Sequence, residues 1–186
     1  MSTSTITSRP VRRRLASILG AALLTVSAAA CVTPPAGGGG GGPACGTGAA
    51  GSDTAANGAV LTVTPATNVC TPSGTVTISG TGYKPTANGG VGIYVVYGPK
   101  VVNGHLDAGL FGSAKWVNVG APNNASRAPM NPDGSFSTTL SLPATYTDAY
   151  GTVVNCQVTQ CHILTFTAHG VNDRTQDADV AVDFAG

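Results

Sequence analysis

From residue 61 onward, apolar side chains recur at every second position in short runs broken by Gly, Pro, Asn and Asp. Leu61 and Val63 flank Thr62 and stop at Pro65, and Val76 and Ile78 alternate with threonines until Gly80-Thr81-Gly82. Gly92 to Tyr97 is a third run, with Ile93, Val95 and Tyr97 on one face and Tyr94 and Val96 on the other. Ala114 to Val119 is a shorter fourth. Phe136, Thr138, Leu140 and Leu142 form a fifth, behind the turn Asn131-Pro132-Asp133-Gly134, where Pro fixes φ and Gly accepts a positive φ. Ile163 to Ala168 and the alternation Val180, Val182, Phe184 complete seven. A period of two means one buried and one solvated face. Seven such strands separated by turns predict an all-β, antiparallel sandwich over residues 60–186, long enough to bury its own core.

The N-terminus has a different pattern. Arg9, Arg12, Arg13 and Arg14 precede sixteen uncharged residues, Leu15 to Ala30, which end in Ser27-Ala28-Ala29-Ala30. A basic region, a short apolar core and small residues describe a secretory signal over 1–30. The apolar run is shorter than the ~20 residues of a spanning helix. Cys31 follows at once, where a lipoprotein signal places the thiol that is lipidated. The expected location is the outer face of the cell membrane, with the membrane as partner through that anchor. Cleavage after Ala30 and plain secretion is the alternative. Arg12-Arg13 leaves the export route open between the general and twin-arginine pathways. Residues 31–59, with Pro34-Pro35 and six glycines from Gly37 to Gly42, read as a flexible tether.

Charge and cysteine content refine this picture. Only 9% of residues are charged and the net charge is +1, so no field is available to gather nucleic acid. Setting Cys31 aside leaves Cys45, Cys70, Cys156 and Cys161, an even number in an oxidising compartment. Three pairings are open, and the local one, Cys45–Cys70 with Cys156–Cys161, is preferred. A metal reading is poor, because C-x4-C beside His162 alone does not supply four ligands. No metal or other cofactor is expected.

Leu61-Thr62-Val63-Thr64-Pro65 followed by Gly74-Thr75-Val76-Thr77-Ile78-Ser79-Gly80-Thr81-Gly82-Tyr83 resembles the opening strands of the neocarzinostatin-like apoproteins of actinobacteria. Gly151 to Cys156, four residues, Cys161 and a last strand ending at Phe184 are similar to that family's short disulfide loop and closing strand. Asp173-Arg174-Thr175-Gln176-Asp177 with that strand behind it also looks like the module of actinobacterial envelope proteins, some associated with haem uptake. The resemblance implies an immunoglobulin-like seven-stranded sandwich. It departs from the antibiotic carriers in lacking their mid-domain disulfide, and residues 98–131 stand there as a long cysteine-free segment. Chromophore-binding aromatics do not transfer one by one.

Catalytic constellations are scarce. Neither G-x-S-x-G nor H-E-x-x-H occurs, and Gly80-Thr81-Gly82 runs into Pro85 rather than a helix, so it reads as a turn. His105, His162 and His169 are scattered; Asp173, Asp177, Asp179 and Asp183 read as a solvated edge rather than a calcium site. The chain is therefore expected not to be an enzyme. Candidate ligand-binding residues are Tyr94, Tyr97, Phe111 and Trp116, grouped around the long segment, with core filling as the competing role for Phe111 and Trp116. Two functions follow: an envelope module that binds a protein or wall component, or a carrier of a small hydrophobic, aromatic or haem-like ligand. Metabolic labelling with palmitate is expected to mark the wild-type chain and not Cys31→Ser; label persisting in the serine variant would refute anchoring at that residue.

Overall fold

A computed structural model describes residues 44–100 and 107–186. The signal region 1–30, Cys31 and the tether as far as residue 43 lie outside the described residues, as do residues 101–106 with His105. The described chain is all-β. Its strands are β1 (Gly51–Thr54), β2 (Val60–Thr64), β3 (Ser73–Thr81), β4 (Ile93–Pro99), β5 (Ser113–Val119), β6 (Arg127–Met130), β7 (Phe136–Pro143), β8 (Thr145–Thr147), β9 (Val153–Asn155), β10 (Cys161–Thr167) and β11 (Ala178–Val182). Helix is confined to two short 3-10 turns, Ala87–Gly89 and Ala108–Leu110.

Nine strands form one sheet in the order β1-β2-β3-β7-β6-β5-β4-β10-β11, and β8 pairs with β9 as a separate ribbon. Neighbours are antiparallel except β5 and β6, which run parallel. The alternation explains the roll of the sheet. Leu61, Val63, Val76, Ile78 and Leu142 from one half face Ile93, Val95, Val117, Ile163 and Val182 from the other, all fully buried. One sheet can bury one whole face against itself only by curling. The two edges meet: the Asp179 backbone N–H donates to the Asp53 carboxylate at 2.8 Å, and Gly51 packs so closely on Val180 that a Cβ would lie 2.5 Å from its Cγ1. The result is a near-barrel.

Eleven strands replace the seven expected from the periodicity. β1 falls in the segment read as tether. Its sequence, Gly-Ser-Asp-Thr, has no apolar side chain to signal a strand, yet it pairs with β2 from Gly51↔Val63 to Thr54↔Val60. β6 contains Pro129, and β8 and β9 have three residues each, too few to show a period. The long segment 98–131 contains two strands, β5 and β6, joined by turns. The turn at Asn131 is as expected: the Gly134 N–H donates to the Asn131 carbonyl at 2.9 Å with Gly134 at φ 80°. Any Cβ there would meet the Tyr83 carbonyl at 1.9 Å, so the position admits only glycine.

Disulfides join Cys45 to Cys70 and Cys156 to Cys161, the local pairing. The first clamps the residues before β1 onto the β2–β3 connection, where the Gly46 N–H donates to the Asn68 carbonyl at 2.7 Å and that of Ala66 to Ala49 at 2.7 Å. The domain therefore starts some fifteen residues earlier than the boundary at 60, roughly at Cys45. By the chain-entropy argument, Cys45→Ser with Cys70→Ser should lower unfolding free energy by about 2–4 kcal/mol in denaturant titration. No change would mean that the clamp closes a loop already ordered in the unfolded chain.

Tyr83 lies in the core, edge-on to Phe136 at 5.3 Å, its hydroxyl 3.0 Å from Thr165 Oγ1. Burial pushes its pKa up to about 12. Burial does the same for Tyr146, also to about 12. The folded state thus retains protons that the unfolded state gives up from about pH 10, so stability is intact below 10 and falls as pH rises towards 12. Tyr83→Phe, which removes one such proton, is expected to flatten that alkaline loss while costing about 1 kcal/mol at neutral pH. An unchanged alkaline slope would contradict this assignment.

Candidate functional site

The outer face of the sheet carries a transverse row of aromatic side chains. Registry places it there: Arg127 of β6 stands opposite Trp116 of β5, Trp116 opposite Tyr94 of β4, and Tyr94 opposite Phe166 of β10. Ile93 and Val95 beside Tyr94, Lys115 and Val117 beside Trp116, and Thr165 and Thr167 beside Phe166 point inward and are buried; Phe166 is itself 5% exposed, covered by Tyr94 and Phe111. Four neighbouring strands thus contribute one residue each to a single line. Directly opposed residues on one face of a sheet are in contact range.

Individual contacts fix the row. The Trp116 indole N–H donates to the Val91 carbonyl at 2.6 Å, and the Arg127 guanidinium carbon sits 4.5 Å from the indole centre. The His169 ring meets Trp116 edge-on at 4.7 Å and Tyr94 at 5.7 Å. His169 reaches them from the turn after β10, where it takes a left-handed φ of 59°. Tyr94 packs edge-on against Phe166 at 5.8 Å, and Phe111 closes the far end at 6.0 Å from Phe166.

Phe111 is held by the segment before β5. The Asp107 carboxylate accepts from the Gly109 N–H at 2.8 Å and from the Tyr150 hydroxyl. These two bonds, the tyrosine's first, hold Asp107 below the usual carboxylate range, while the same contact raises Tyr150. The Tyr146 hydroxyl donates to the Leu110 carbonyl at 3.1 Å, and Gly112 approaches the Tyr146 ring too closely for any Cβ. The β8–β9 ribbon thereby positions Phe111 at the sheet.

Of the four candidate aromatics, the structure brings three together: Tyr94, Phe111 and Trp116, each half-buried. Tyr97 does not join them. It is 0% exposed on the inner face, donates its hydroxyl to the Pro143 carbonyl at 3.1 Å, and packs against Tyr146 and Phe184. Burial raises its pKa. The reason is parity: Tyr97 lies an odd number of residues from Tyr94, so the two cannot share a face. The same parity puts Trp116 outside the core. Sequence reading overlooked Phe166, His169 and Arg127. Phe166 was signalled by its offset from Ile163, whereas His169 and Arg127 reach the row through a turn and a parallel pairing that no periodicity shows.

The acidic residues serve local structure. Asp173 accepts from Thr175 and Asn88, and those bonds lower its pKa. Asp177 pairs with Arg174, and Asp179 with Lys100 at 2.6 Å, its second oxygen lying 3.1 Å from His162 Nδ1. Among the described residues, no three His, Cys, Asp or Glu side chains are grouped to hold a metal ion. Gly80 and Thr81 are the last residues of β3, and the chain leaves the strand at Gly82, at φ 73°. Among the described residues, no helix is long and apolar enough to cross a membrane. The chain matches no family model, no curated protein and no solved structure. What the row offers is half-exposed aromatic surface ending in one guanidinium, a surface suited to holding a partner by apolar and cation–π contact.

Proposed function

We propose that the chain is a non-enzymatic cell-envelope lipoprotein, anchored through Cys31, that presents a β-sandwich binding module outside the membrane. The observation that carries this reading is the outward row Arg127–Trp116–Tyr94–Phe166, extended by Phe111 and His169. Aromatic residues are scarce in this chain, at 5%, and half-exposing Trp116, Tyr94 and Phe111 on one face forgoes burial that the core could use. Two disulfides suit the oxidising exterior that the signal region implies.

The strand order supports an immunoglobulin-like arrangement of neocarzinostatin kind. β2, β3 and β7 form one layer and β5, β4, β10 and β11 the other, with β6 bridging them along one side. On this reading the partner is an envelope protein or wall component that docks on the second layer. The carrier of a small hydrophobic or haem-like ligand is the second reading, favoured by the way the Asp107–Gly112 segment brings Phe111 against Phe166.

Photocrosslinking separates the two. With p-benzoylphenylalanine in place of Tyr94, cells are expected to yield a discrete envelope adduct, lost when Trp116→Ala and Arg127→Ala are added. The same probe in place of Ser137, on the outer face of β7, should yield none. Equal adducts from both positions would sink the docking face. Saturable quenching of Trp116 by haemin, without an envelope adduct, would replace the module with the carrier.

A further inference from the structure

The sheet has an opening on the side away from its closed edge. β6 pairs with β5 only from Trp116 to Val119, and with β7 only at Met130↔Phe136. Beyond those pairs β5 and β7 run on with no strand between them. The Ser113 hydroxyl spans the far end, donating to the Ser141 carbonyl at 2.6 Å. Between β6 and that bridge lies a cleft of ≈ 370 Å³ lined by Ser113, Ala114, Lys115, Ala125, Leu140 and Ser141, with Thr139 at its rim.

Lys115 is the unusual member. It stands on the inner face opposite Val95, is 7% exposed, and crosses the gap to β7, where its ammonium donates to Thr138 Oγ1 at 3.0 Å. That is its one hydrogen bond among the described residues. An ammonium has three donors and is costly to bury without a counter-charge. No carboxylate side chain pairs with it: the ion pairs among the described residues join Asp179 to Lys100 and His162, and Asp177 to Arg174. All eight acids are aspartates, none in the undescribed segments. Asp53 accepts from Asp179, Asp107 from Tyr150 and Gly109, and Asp133 from Ser135. Asp148 accepts from Thr152 and Tyr150, Asp173 from Thr175 and Asn88, and Asp183 from Gln160. Asp177 and Asp179 hold Arg174 and Lys100.

From this geometry we infer that the β5–β7 cleft binds a small organic carboxylate whose head group meets Lys115. The cleft size falls in the range of small-ligand sites. Ala114, Ala125 and Leu140 supply apolar wall for the body of such a molecule, and the Thr139 hydroxyl supplies a further donor to its oxygens. Lys115 points to the opposite face of β5 from Trp116, whereas Ala114 shares the face of Trp116, and the site stands independently of the function proposed above.

Benzoate and its neutral isostere benzamide test this on the folded chain. Benzoate is expected to raise Tm and to shift, saturably, the amide resonances of 113–115 and 139–141, with benzamide at least tenfold weaker, as loss of a charge-assisted hydrogen bond requires. Lys115→Met should fold with unchanged or higher Tm in buffer and lose benzoate binding tenfold or more, whereas Thr138→Val, which keeps the amine, should retain it. Equal binding of benzamide, undiminished binding to Lys115→Met, or no saturable shift would overturn the site; inorganic phosphate acting as strongly as benzoate on the same amides would overturn the carboxylate class.

Discussion

Everything in this domain depends on one sheet having to bury its own inner face. The apolar content is largely Val, Ile, Leu and Ala, and no helix longer than a single turn is present among the described residues to cover a flat sheet. Curling is the remaining way to remove that face from water, and it requires the two edges to meet. They meet at β1 and β11, where a glycine permits the approach and the Asp53 carboxylate takes an edge N–H that would otherwise be unpaired. The Cys45–Cys70 disulfide lies beside this seam and holds β1 in place. A strand with no apolar side chain thus becomes necessary to closure.

Closure also decides where chemistry can sit. Once Val, Ile and Leu from both halves fill the interior, few large aromatics are needed there; Tyr83, Tyr97, Phe136 and Tyr146 lie in the core, with the hydroxyls finding Thr165, Pro143 and Leu110. Trp116, Tyr94 and Phe111 are left to the outside. Strand registry then aligns them without any loop having to organise them, which is why the row is continuous across β6, β5, β4 and β10. A site built on strands is positioned more rigidly than one built on loops.

Much of this was legible in the chain. Seven strands with strong alternation lie where period two placed them, because each has a buried face that enforces the pattern. The Asn131–Gly134 turn was equally clear, its residues being chosen by backbone angles alone. β1, β6, β8 and β9 were not legible: each is stabilised by its neighbour's hydrogen bonds rather than by its own side chains. The aromatic row was half legible. Parity separates Tyr94 from Tyr97 and pairs Tyr94 with Val96, but which strands are neighbours, and hence that Arg127 and Phe166 stand in line with Trp116, is a property of topology. Lys115 shares the parity of Val117, but nothing in the chain shows the β5–β7 gap beside it.

The position of Lys115 also bears on why the barrel is imperfect. A continuous β6 running the length of β5 and β7 would satisfy more backbone groups and seal the wall. Instead β6 begins only at Arg127, opposite Trp116, and Pro129, which lacks the N–H a ladder needs, sits within its four residues, so Ser113 to Lys115 have no strand beside them on that side. The opening so produced leaves Lys115 lining a cleft rather than sealed within a continuous wall. An apolar residue at 115 facing Thr138 would remove the desolvation cost without disturbing the ladder, so stability alone gives no reason for a lysine there. The cost is offset only when something negative enters, and the opening is the route by which it could.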